Sequence, residues 1–392
     1  MPARRAYDLV IIGGGITGAS TAFWAMKARA GFSVLVVERD ATYAQASTTH
    51  TNSCIRLQFG TEVNIRLSQA TLALLADWPE VMEEASPPPA LDPFGYLYLA
   101  ATEEGARRLR SRAALQKSLG ARTVLLEPGQ LAARFPWMER EDILLASHGT
   151  EGEGYFDGAT LFSTFRRRSR EMGAEWVEAE VAGLTSEGAR ITGIRLADGT
   201  VIAAGAVVNA AGPRAALVAR WAGIELPVEP RRRHTFTFAA APLAAKLPLT
   251  IDPSGFHVRQ DGANFMIGCA PLDDDPAAPD DFSMDPDTFE ERLWPALAAR
   301  IPAFEQLRLL RFWTGHYAYN THDQNALVGL HPAAEGLYFA NGFSGHGLQQ
   351  AAGIGRGLVE LILTGGYQSL DLTPLSVSRL VTGKRVVEDA II

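Results

Sequence analysis

Two glycine-rich segments near opposite ends of the 392-residue sequence have the spacing of nucleotide-binding turns. The first, Gly13-Gly14-Gly15-Ile16-Thr17-Gly18, matches the pattern GxGxxG. In this pattern Gly13 permits a sharp turn, Gly15 lets the backbone approach a pyrophosphate, and Gly18 allows close packing of the next helix. Glu38 lies 20 positions after Gly18 (38 − 18), where a carboxylate accepts hydrogen bonds from ribose and repels a 2′-phosphate. The spacing favours FAD or NAD over NADP, and the alternative is a glycine turn that binds nothing.

The second segment is Gly342-Phe343-Ser344-Gly345-His346-Gly347-Leu348-Gln349, between a predicted strand and the last predicted helix. Backbone N–H groups at the start of a helix bind anions and electron-rich groups. Here they would face the N1 and C2 carbonyl edge of a flavin and stabilise its reduced form. The segment therefore favours FAD over NAD, with contacts from Gly342, Gly345, Gly347, Leu348 and Gln349. His346 either contacts the flavin ring or stabilises the turn.

The hydrophobic pattern predicts the elements that position both turns. Tyr7–Ile12 and Ser33–Glu38 have the pattern of buried strands, with a helix over Ala19–Ala30 between them, so the first turn lies in a βαβ unit. Arg232–Ala270 alternates apolar and polar residues, as an antiparallel sheet does, and a helix over Gly347–Leu363 follows the second turn. Further predicted helices cover Val63–Trp78, Thr102–Leu119 and Asp157–Met172, and further strands lie near Gly95–Ala100, Glu175–Ala182, Ile191–Leu196 and Leu337–Ala340.

These elements predict an α/β protein whose two domains are interleaved along the chain. Antiparallel material lies between early and late α/β segments, and a discontinuous domain needs those segments to return to each other. We expect a Rossmann-type FAD-binding domain formed by residues 1–85, 150–225 and 322–392. Residues 86–149 and 226–321 would form a substrate-binding domain.

Composition limits the classes of partner and compartment. The net charge of -8 argues against nucleic acid as the main partner, and we interpret the runs Arg166-Arg167-Arg168 and Arg231-Arg232-Arg233 as solvated faces. Cys54 and Cys269 are the only cysteines and form no metal-binding or CxxC pair, so no metal site is predicted. No apolar stretch is long enough for a signal peptide or a membrane-spanning helix. We therefore expect a cytoplasmic protein.

Both glycine segments, Glu38 and Val207–Gly212 resemble the FAD-dependent amine and amino-acid oxidoreductases, the family of D-amino-acid oxidase, sarcosine oxidase and dimethylglycine dehydrogenase. The resemblance covers nearly the whole chain and implies a glutathione-reductase-like FAD fold of the D-amino-acid oxidase type. Trp313–Asn325 and the residues from Asp371 to Ile392 are most similar to a narrower group, the FAD-dependent oxidoreductase domain-containing proteins linked to respiratory complex I assembly.

The resemblance also implies particular cofactor contacts. Ser47 and Thr48 would meet the pyrophosphate, the backbone of Val181 the adenine, and Ala211 and Gly212 the ribityl and phosphate passage. Ile16, Thr17 and Arg39 complete the expected set. His50 occupies the place of a histidine that bonds covalently to flavin in dimethylglycine dehydrogenase, and His316 that of a tethering cysteine in monomeric sarcosine oxidase. We expect a non-covalent FAD, with a bond through His50 as the alternative.

The resemblance implies oxidation of the C–N bond of an amino acid or N-alkyl amino acid. Hydride transfer to flavin N5 would give an imine that hydrolyses, and the electrons would pass to oxygen, a quinone or a redox protein. Arg56 is the candidate for binding the substrate carboxylate in a bidentate pair, or else a structural ion pair. His257 would deprotonate the amine or bind a side chain, or else be a satisfied histidine on the outer face of the sheet. Tyr317 and Tyr319 would line the cavity or simply pack.

Two departures from relatives weaken the case for a glycine-like substrate. The segment His316–Tyr319 lacks the arginine of glycine and D-amino-acid oxidases, and Gln349 replaces a carboxylate-binding lysine of sarcosine oxidase. None of the four lysines falls in a motif near the flavin, which favours a dehydrogenase over an oxidase. The competing functions are an assembly factor for a respiratory complex, in which FAD is mainly structural, and modification of tRNA, against which the acidic charge speaks.

Overall fold

The computed structural model describes residues 2–285 and 287–391. Its strands, in chain order, are β1 (Ala6–Ile12), β2 (Val34–Glu38), β3 (Cys54–Ile55), β4 (Leu91–Asp92), β5 (Tyr96–Ala100), β6 (Thr123–Leu126), β7 (Leu145–Gly149), β8 (Gly154–Phe156), β9 (Glu175–Glu178), β10 (Val181–Glu187), β11 (Arg190–Leu196), β12 (Val201–Asn209), β13 (Val228–Ala239), β14 (Leu249–Ile251), β15 (Phe256–Asp261), β16 (Asn264–Cys269), β17 (Arg308–Asn320), β18 (Leu327–Leu330) and β19 (Leu337–Asn341). Its α-helices are α1 (Ile16–Ala28), α2 (Glu62–Ala76), α3 (Trp78–Met82), α4 (Glu103–Ser118), α5 (Pro128–Arg134), α6 (Gly158–Glu171), α7 (Ala215–Arg220), α8 (Trp294–Arg300), α9 (Gly347–Thr364) and α10 (Arg379–Thr382).

The first large sheet contains the βαβ unit that carries the first glycine turn. Its strands lie in the order β10-β11-β12-β1-β2-β9, and β19 pairs with β12 and with β18. The pairs among β12, β1, β2 and β9, and the pair of β12 with β19, are parallel. Ile12, Glu38 and Asn209 end their strands at one edge of this sheet. This is the edge at which α/β sheets bind ligands.

The second large sheet has the order β17-β13-β16-β15-β14-β5-β7-β6, and β3, β8 and β4 form a small third sheet. The second sheet is antiparallel except where β14 runs parallel to β5. The strands of the first sheet come from residues 6–38, 175–209 and 327–341, and those of the second from 96–149 and 228–320. The predicted mixed α/β architecture is confirmed, whereas the bounds of the two domains stay a prediction.

Most predicted elements agree with the structure to within one residue, and three differ by more. Helix α1 begins at Ile16 instead of Ala19, so the glycine turn leads directly into it. The strand predicted near Glu175–Ala182 is two strands, because β9 pairs with β2 whereas β10 forms a hairpin with β11. The helix predicted over Val63–Trp78 ends at Ala76, and Pro79 lies in the first turn of a separate helix, α3, where its missing N–H is tolerated.

Helices α1 and α9 pack closely against each other beneath the glycine turns. Ser20 Oγ donates a hydrogen bond of 2.7 Å to the Ala351 carbonyl. A Cβ at Gly355 would lie 2.3 Å from Ser20 Oγ, so only glycine permits this approach. Both helices cover the first sheet, with Leu9, Ile354 and Leu358 in the shared core. This packing holds the N-terminal ends of the two helices side by side.

Within the described ranges, no helix is long and apolar enough to cross a membrane. The same residues contain no group of three or more His, Cys, Asp or Glu side chains arranged to hold a metal ion. Both cysteines are unpaired thiols.

Candidate functional site

A cavity of about 310 Å³ lies where the edge of the first sheet faces the second. Residues from β1, β2, β13, β15 and β17 line it, together with both glycine turns. The starts of α1 and α9 therefore open on the same space. Since each start presents unpaired N–H groups and positive potential, the cavity suits an elongated ligand with anionic and electron-rich parts.

The first glycine turn is shaped by close backbone contacts. Gly13 has φ of 99°, and a Cβ there would lie 2.4 Å from the Ala210 carbonyl oxygen. A Cβ at Gly18 would lie 2.0 Å from the carbonyl oxygen of Gly13. Gly13 and Gly15 line the cavity, whereas Gly18 lies behind the turn. The three glycines thus serve the turn, the ligand surface and the packing of α1, as the sequence pattern predicts.

Polar side chains fix the approach to this turn. Thr48 Oγ1 accepts a hydrogen bond of 3.0 Å from the backbone N–H of Ile16, the first residue of α1. The Glu38 carboxylate accepts hydrogen bonds from the backbone N–H groups of Gly14 (2.8 Å) and Asp40 (3.0 Å). Ser47 Oγ donates to the His316 carbonyl at 2.6 Å. The loop after β2 is therefore tied both to α1 and to the second sheet.

The second glycine turn is closed by an aromatic ring. Gly345 has φ of 94°, and a Cβ there would lie 2.4 Å from a ring carbon of Tyr317. The Ser344 N–H donates to the Ala318 carbonyl at 3.0 Å, and Ser344 Oγ accepts from the backbone N–H of Asn320 at 3.0 Å. These bonds join the start of α9 to β17, so both ends of the chain and the second sheet meet at the cavity.

Most of the cofactor residues predicted from the sequence line this cavity. They are Gly13, Gly15, Ile16, Thr17, Glu38, Arg39, Ser47, Thr48, His50, Val181, Ala211, Gly212, Gly345, His346, Gly347, Leu348 and Gln349. Gly342 does not line it. This glycine has φ of 67°, and a Cβ there would lie 3.0 Å from the Asn320 Cβ, so its role is in the turn.

Arg56 is a buried cation in the wall of the cavity, with a relative exposure of 1%. No carboxylate among the described residues pairs with it within 4 Å. Its Nη1 donates to Tyr98 Oη, and its Nη2 donates to His346 Nε2 (2.9 Å) and to the Ala390 carbonyl. The guanidinium also lies 4.5 Å from the ring centroid of Phe59. Because a buried charge without a counter-ion is costly, this site favours an anionic ligand.

These contacts constrain how Arg56 can bind a carboxylate. Either two-pronged face of a guanidinium includes Nη2, paired with Nε or with Nη1. Both N–H groups of Nη2 already donate hydrogen bonds, one to His346 and one to the Ala390 carbonyl. The predicted bidentate pair would therefore have to displace His346 or the Ala390 carbonyl. The N–H groups of Arg56 that have no acceptor are Nε–H and one of the two on Nη1.

The two histidines beside Arg56 are neutral. Burial, followed by the charge of Arg56, lowers the pKa of His346 well below its usual value. Burial and the charges of Arg259, Arg233 and Arg56 lower the pKa of His257 to about 3. His257 Nε2 lies 2.6 Å from Asn52 Nδ2 in the cavity wall. A histidine with so low a pKa is a poor base, which favours the alternative that His257 binds the substrate.

The two candidate tyrosines of β17 have different surroundings. Tyr317 lines the cavity, burial raises the pKa of its hydroxyl, and Arg233 lies 4.7 Å from its ring centroid. Tyr319 does not line the cavity; its hydroxyl accepts a hydrogen bond of 2.7 Å from Gln324 Nε2 and its ring packs under Arg231. Two residues along a strand cover about 7 Å, which carries Tyr319 past the end of the cavity. Tyr319 therefore packs outside the cavity, which is the alternative that the sequence left open for it.

Comparison with known proteins agrees with this geometry. The profile of the family described as "FAD dependent oxidoreductase" matches residues 8–361. The chain belongs to this family. "FAD-dependent oxidoreductase domain-containing protein 1" of Bos taurus is 37% identical over 430 residues, covering 100% of this chain and 88% of that protein. "Sarcosine oxidase subunit beta" of an Arthrobacter species is 25% identical over 395 residues, covering 98% and 94%. The structure of L-proline dehydrogenase from P. horikoshii superimposes with a TM-score of 0.85 at 27% identity, covering 97% and 100%.

The predicted resemblance, the oxidoreductase class and the use of FAD are thereby confirmed, and the fold is that of the D-amino-acid oxidase type. The residues present fit this cofactor. Gly13 and Gly15 leave no side chain where the pyrophosphate would approach α1, and Glu38 lies at the end of β2 to accept ribose hydroxyls. Gly345 and Gly347 line the cavity at the start of α9, where backbone N–H groups would meet the flavin ring.

The two candidate tethers lie along one side of the cavity. His50 Nδ1 lies 3.0 Å from the Ala46 carbonyl. His316 stacks on Phe282 with 4.3 Å between ring centroids, and its Nε2 lies 2.7 Å from the Asp281 carbonyl. Each ring therefore keeps one nitrogen without a partner among the described residues, Nε2 in His50 and the buried Nδ1 in His316.

Arg233 is the main cavity residue that the sequence reasoning missed. It lies on β13, lines the cavity, and pairs with both oxygens of Asp274 at 2.6 and 3.1 Å. The interpretation of Arg231-Arg232-Arg233 as a solvated face is therefore wrong for this residue. The alternation of side chains along a strand could have indicated that Arg231 and Arg233 face away from Arg232. Tyr96, Leu249 and Asn52 also line the cavity without a sequence signal.

Proposed function

We propose that this oxidoreductase oxidises the C–N bond of an amino acid or N-alkyl amino acid, giving an imine that hydrolyses in water. The observation that carries the proposal is the buried Arg56 guanidinium, which lines the cavity and lacks a carboxylate partner among the described residues. A substrate carboxylate would supply that counter-charge. The names of two similar proteins, L-proline dehydrogenase and sarcosine oxidase subunit beta, agree with a secondary amino acid.

The residues of this chain would bind and orient the substrate. Bound FAD supplies the acceptor for the hydride and its two electrons. Arg56 binds the carboxylate through an N–H group that has no acceptor yet, and this contact fixes the carbon next to the nitrogen relative to the cavity walls. Tyr96, Leu249 and Tyr317 line that part of the cavity and exclude water from the reacting carbon. Neutral His257 and His346 offer hydrogen bonds without adding charge.

The substrate amine must be neutral before it can give up a hydride. Burial and neighbouring arginines lower the pKa of His257 to about 3, so we do not assign this proton removal to His257. Tyr96, Leu249 and Tyr317 line the cavity, and removal from water lowers the pKa of an ammonium group. We infer that the site favours the neutral amine, which releases its proton to solvent as it binds.

The electron acceptor is proposed to be a quinone or a redox protein instead of oxygen. No lysine is among the described residues that line the cavity, whereas the sarcosine oxidase group, which the sequence resembles, uses a lysine over the flavin to activate oxygen. Slow reoxidation in air and fast reoxidation by an artificial quinone would support this assignment.

The experiment is an anaerobic titration of the purified yellow protein with a panel of secondary and primary amino acids and their carboxamides. We expect N-alkyl amino acids to bleach the visible absorbance of the flavin, and carboxamides to do so only at much higher concentration. Bleaching by dithionite but by no amine would reject the proposal and favour an assembly factor with structural FAD. Acid precipitation of the same sample should release the flavin, since we propose non-covalent binding; yellow pellets would favour a bond through His50.

A further inference from the structure

Two segments that are similar to the narrower protein group meet in the structure. One is the turn after β17, and the other is the late segment, defined as residues 384–391. The carboxylate of Asp323 pairs with Arg379 at 3.0 Å and accepts from the Val386 N–H at 2.9 Å. Asn325 Nδ2 donates to the Val386 carbonyl at 3.2 Å, and the Glu388 N–H donates to the Asp323 carbonyl at 3.1 Å. The turn therefore fixes the backbone of the late segment.

Glu388 joins the late segment to the loop between Arg56 and α2. Its carboxylate is fully buried. It accepts hydrogen bonds from the N–H groups of Gly60 (2.9 Å), Thr61 (3.2 Å) and Ala390 (3.1 Å). The Thr61 hydroxyl (2.8 Å) and Asn64 Nδ2 (2.9 Å) donate to it as well. These five donors stabilise a buried carboxylate that has no arginine or lysine partner among the described residues.

Ala390 carries this connection to the substrate site. The hydrogen bond from its N–H to Glu388 sets its position, and its carbonyl accepts a hydrogen bond from Arg56 Nη2. His346 Nε2 accepts the other hydrogen bond from Nη2, and Tyr98 Oη accepts one from Nη1. We propose that Glu388 and Ala390 position Arg56, so that the guanidinium presents one remaining N–H group to the substrate carboxylate in a fixed orientation. This inference rests on the proposed function of Arg56.

The same contacts would suit a latch, meaning a segment that competes with the substrate for Arg56 and must open before the substrate binds. The burial of the late segment argues against this role. Ala390 and Glu388 have relative exposures of 2% and 0%. Opening a latch would strip the Glu388 carboxylate of its donors while the donors of the loop lost their acceptor, and each such loss is costly. The two roles predict opposite effects, because loosening a positioning element weakens carboxylate binding whereas loosening a latch strengthens it.

A test that needs no substrate is the chemical reactivity of Arg56 in the holoprotein. Glu388→Gln keeps the volume of the side chain but places an amide NH₂ against N–H donors. We expect phenylglyoxal to modify Arg56 at least about tenfold faster in this variant than in the wild-type protein. The extent of modification at each time is measured by mass spectrometry of the peptide that contains Arg56. Glu360→Gln is the matched control, because Glu360 also accepts backbone N–H bonds but does so at the far end of α9. An unchanged rate in Glu388→Gln would overturn the proposal, and Thr61→Val is the milder variant if Glu388→Gln fails to fold.

The second readout is the split between KM and kcat. Glu388→Gln should raise the KM of an amino-acid substrate about tenfold and leave its kcat and the KM of the carboxamide unchanged. In an Arg56→Met background the same change should have no further effect on the ratio of the two KM values. A fall in KM would favour the latch and overturn positioning. Absence of turnover in the wild-type protein would reject the proposed function alone, since the phenylglyoxal result stands without a substrate.

Discussion

Replacing Arg56 with Met removes the buried charge while keeping most of the side-chain volume. A hydrogen bond to a charged group contributes about 1.5–3 kcal/mol, and each 1.4 kcal/mol is about tenfold in binding. We therefore expect the KM of an amino-acid substrate to rise about 10- to 150-fold. The KM of its carboxamide should change much less, because the carboxamide carries no charge for Arg56 to bind. Arg56→Lys keeps the charge, so its effect should be smaller.

The assay is anaerobic flavin reduction at a series of concentrations of the acid and of its carboxamide. Arg259→Met is the control, because Arg259 is also buried but pairs with Asp261 and does not line the cavity. Arg56→Met should keep its bound flavin, because the first glycine turn, which would hold the pyrophosphate, is unchanged. An unchanged ratio of the two KM values in Arg56→Met would refute the role of Arg56 in carboxylate recognition.

Three further predictions concern other parts of the site. Gly345→Ala should yield protein without bound flavin, measured by absorbance after purification, because a Cβ would lie 2.4 Å from the Tyr317 ring at a φ of 94°; full flavin content would contradict this. His257→Gln should lower kcat less than about tenfold, since a general base contributes about 10²- to 10⁴-fold; a larger loss that is relieved at high pH would restore His257 as the base. Burial raises the pKa of Glu153 to about 7, so between its usual value of 4.5 and 7 the folded state holds a proton that the unfolded state has lost, and stability falls as pH rises through this range by up to about 3 kcal/mol. Glu153→Gln should remove that fall in thermal unfolding from pH 5 to pH 8, and an unchanged pH dependence would reject the shift.

The cofactor half of the site could be predicted from the sequence because its determinants are local. A glycine turn between a strand and a helix uses residues that are adjacent in the chain, so the pattern around Gly13 and Gly345 carries the geometry with it. The carboxylate at Glu38 is likewise fixed by the length of one βαβ unit. The fold class followed from the same segments and from the alternation of apolar residues in the second sheet.

The substrate half could be predicted only in part, because its properties depend on contacts between distant residues. The Ala390 carbonyl restricts Arg56 across 334 positions of the chain, and no local pattern encodes that contact. The low pKa of His257 arises from burial and from arginines on other strands. Tyr317 and Tyr319 share a strand face, and only the position of the cavity along the strand separates them. Arg233 looked solvated because Asp274, which pairs with it, is 41 positions away.

The most direct test of the central claim is a single anaerobic turnover with product analysis. Purified protein is mixed with a slight excess of the best N-alkyl amino acid from the panel, quenched, and analysed for amine and carbonyl products. The account predicts that one equivalent of substrate loses its C–N bond, as imine-derived carbonyl and free amine, for each equivalent of flavin reduced. Reduced flavin without a matching carbonyl product, or flavin that stays oxidised with every amine while dithionite reduces it, would contradict the account.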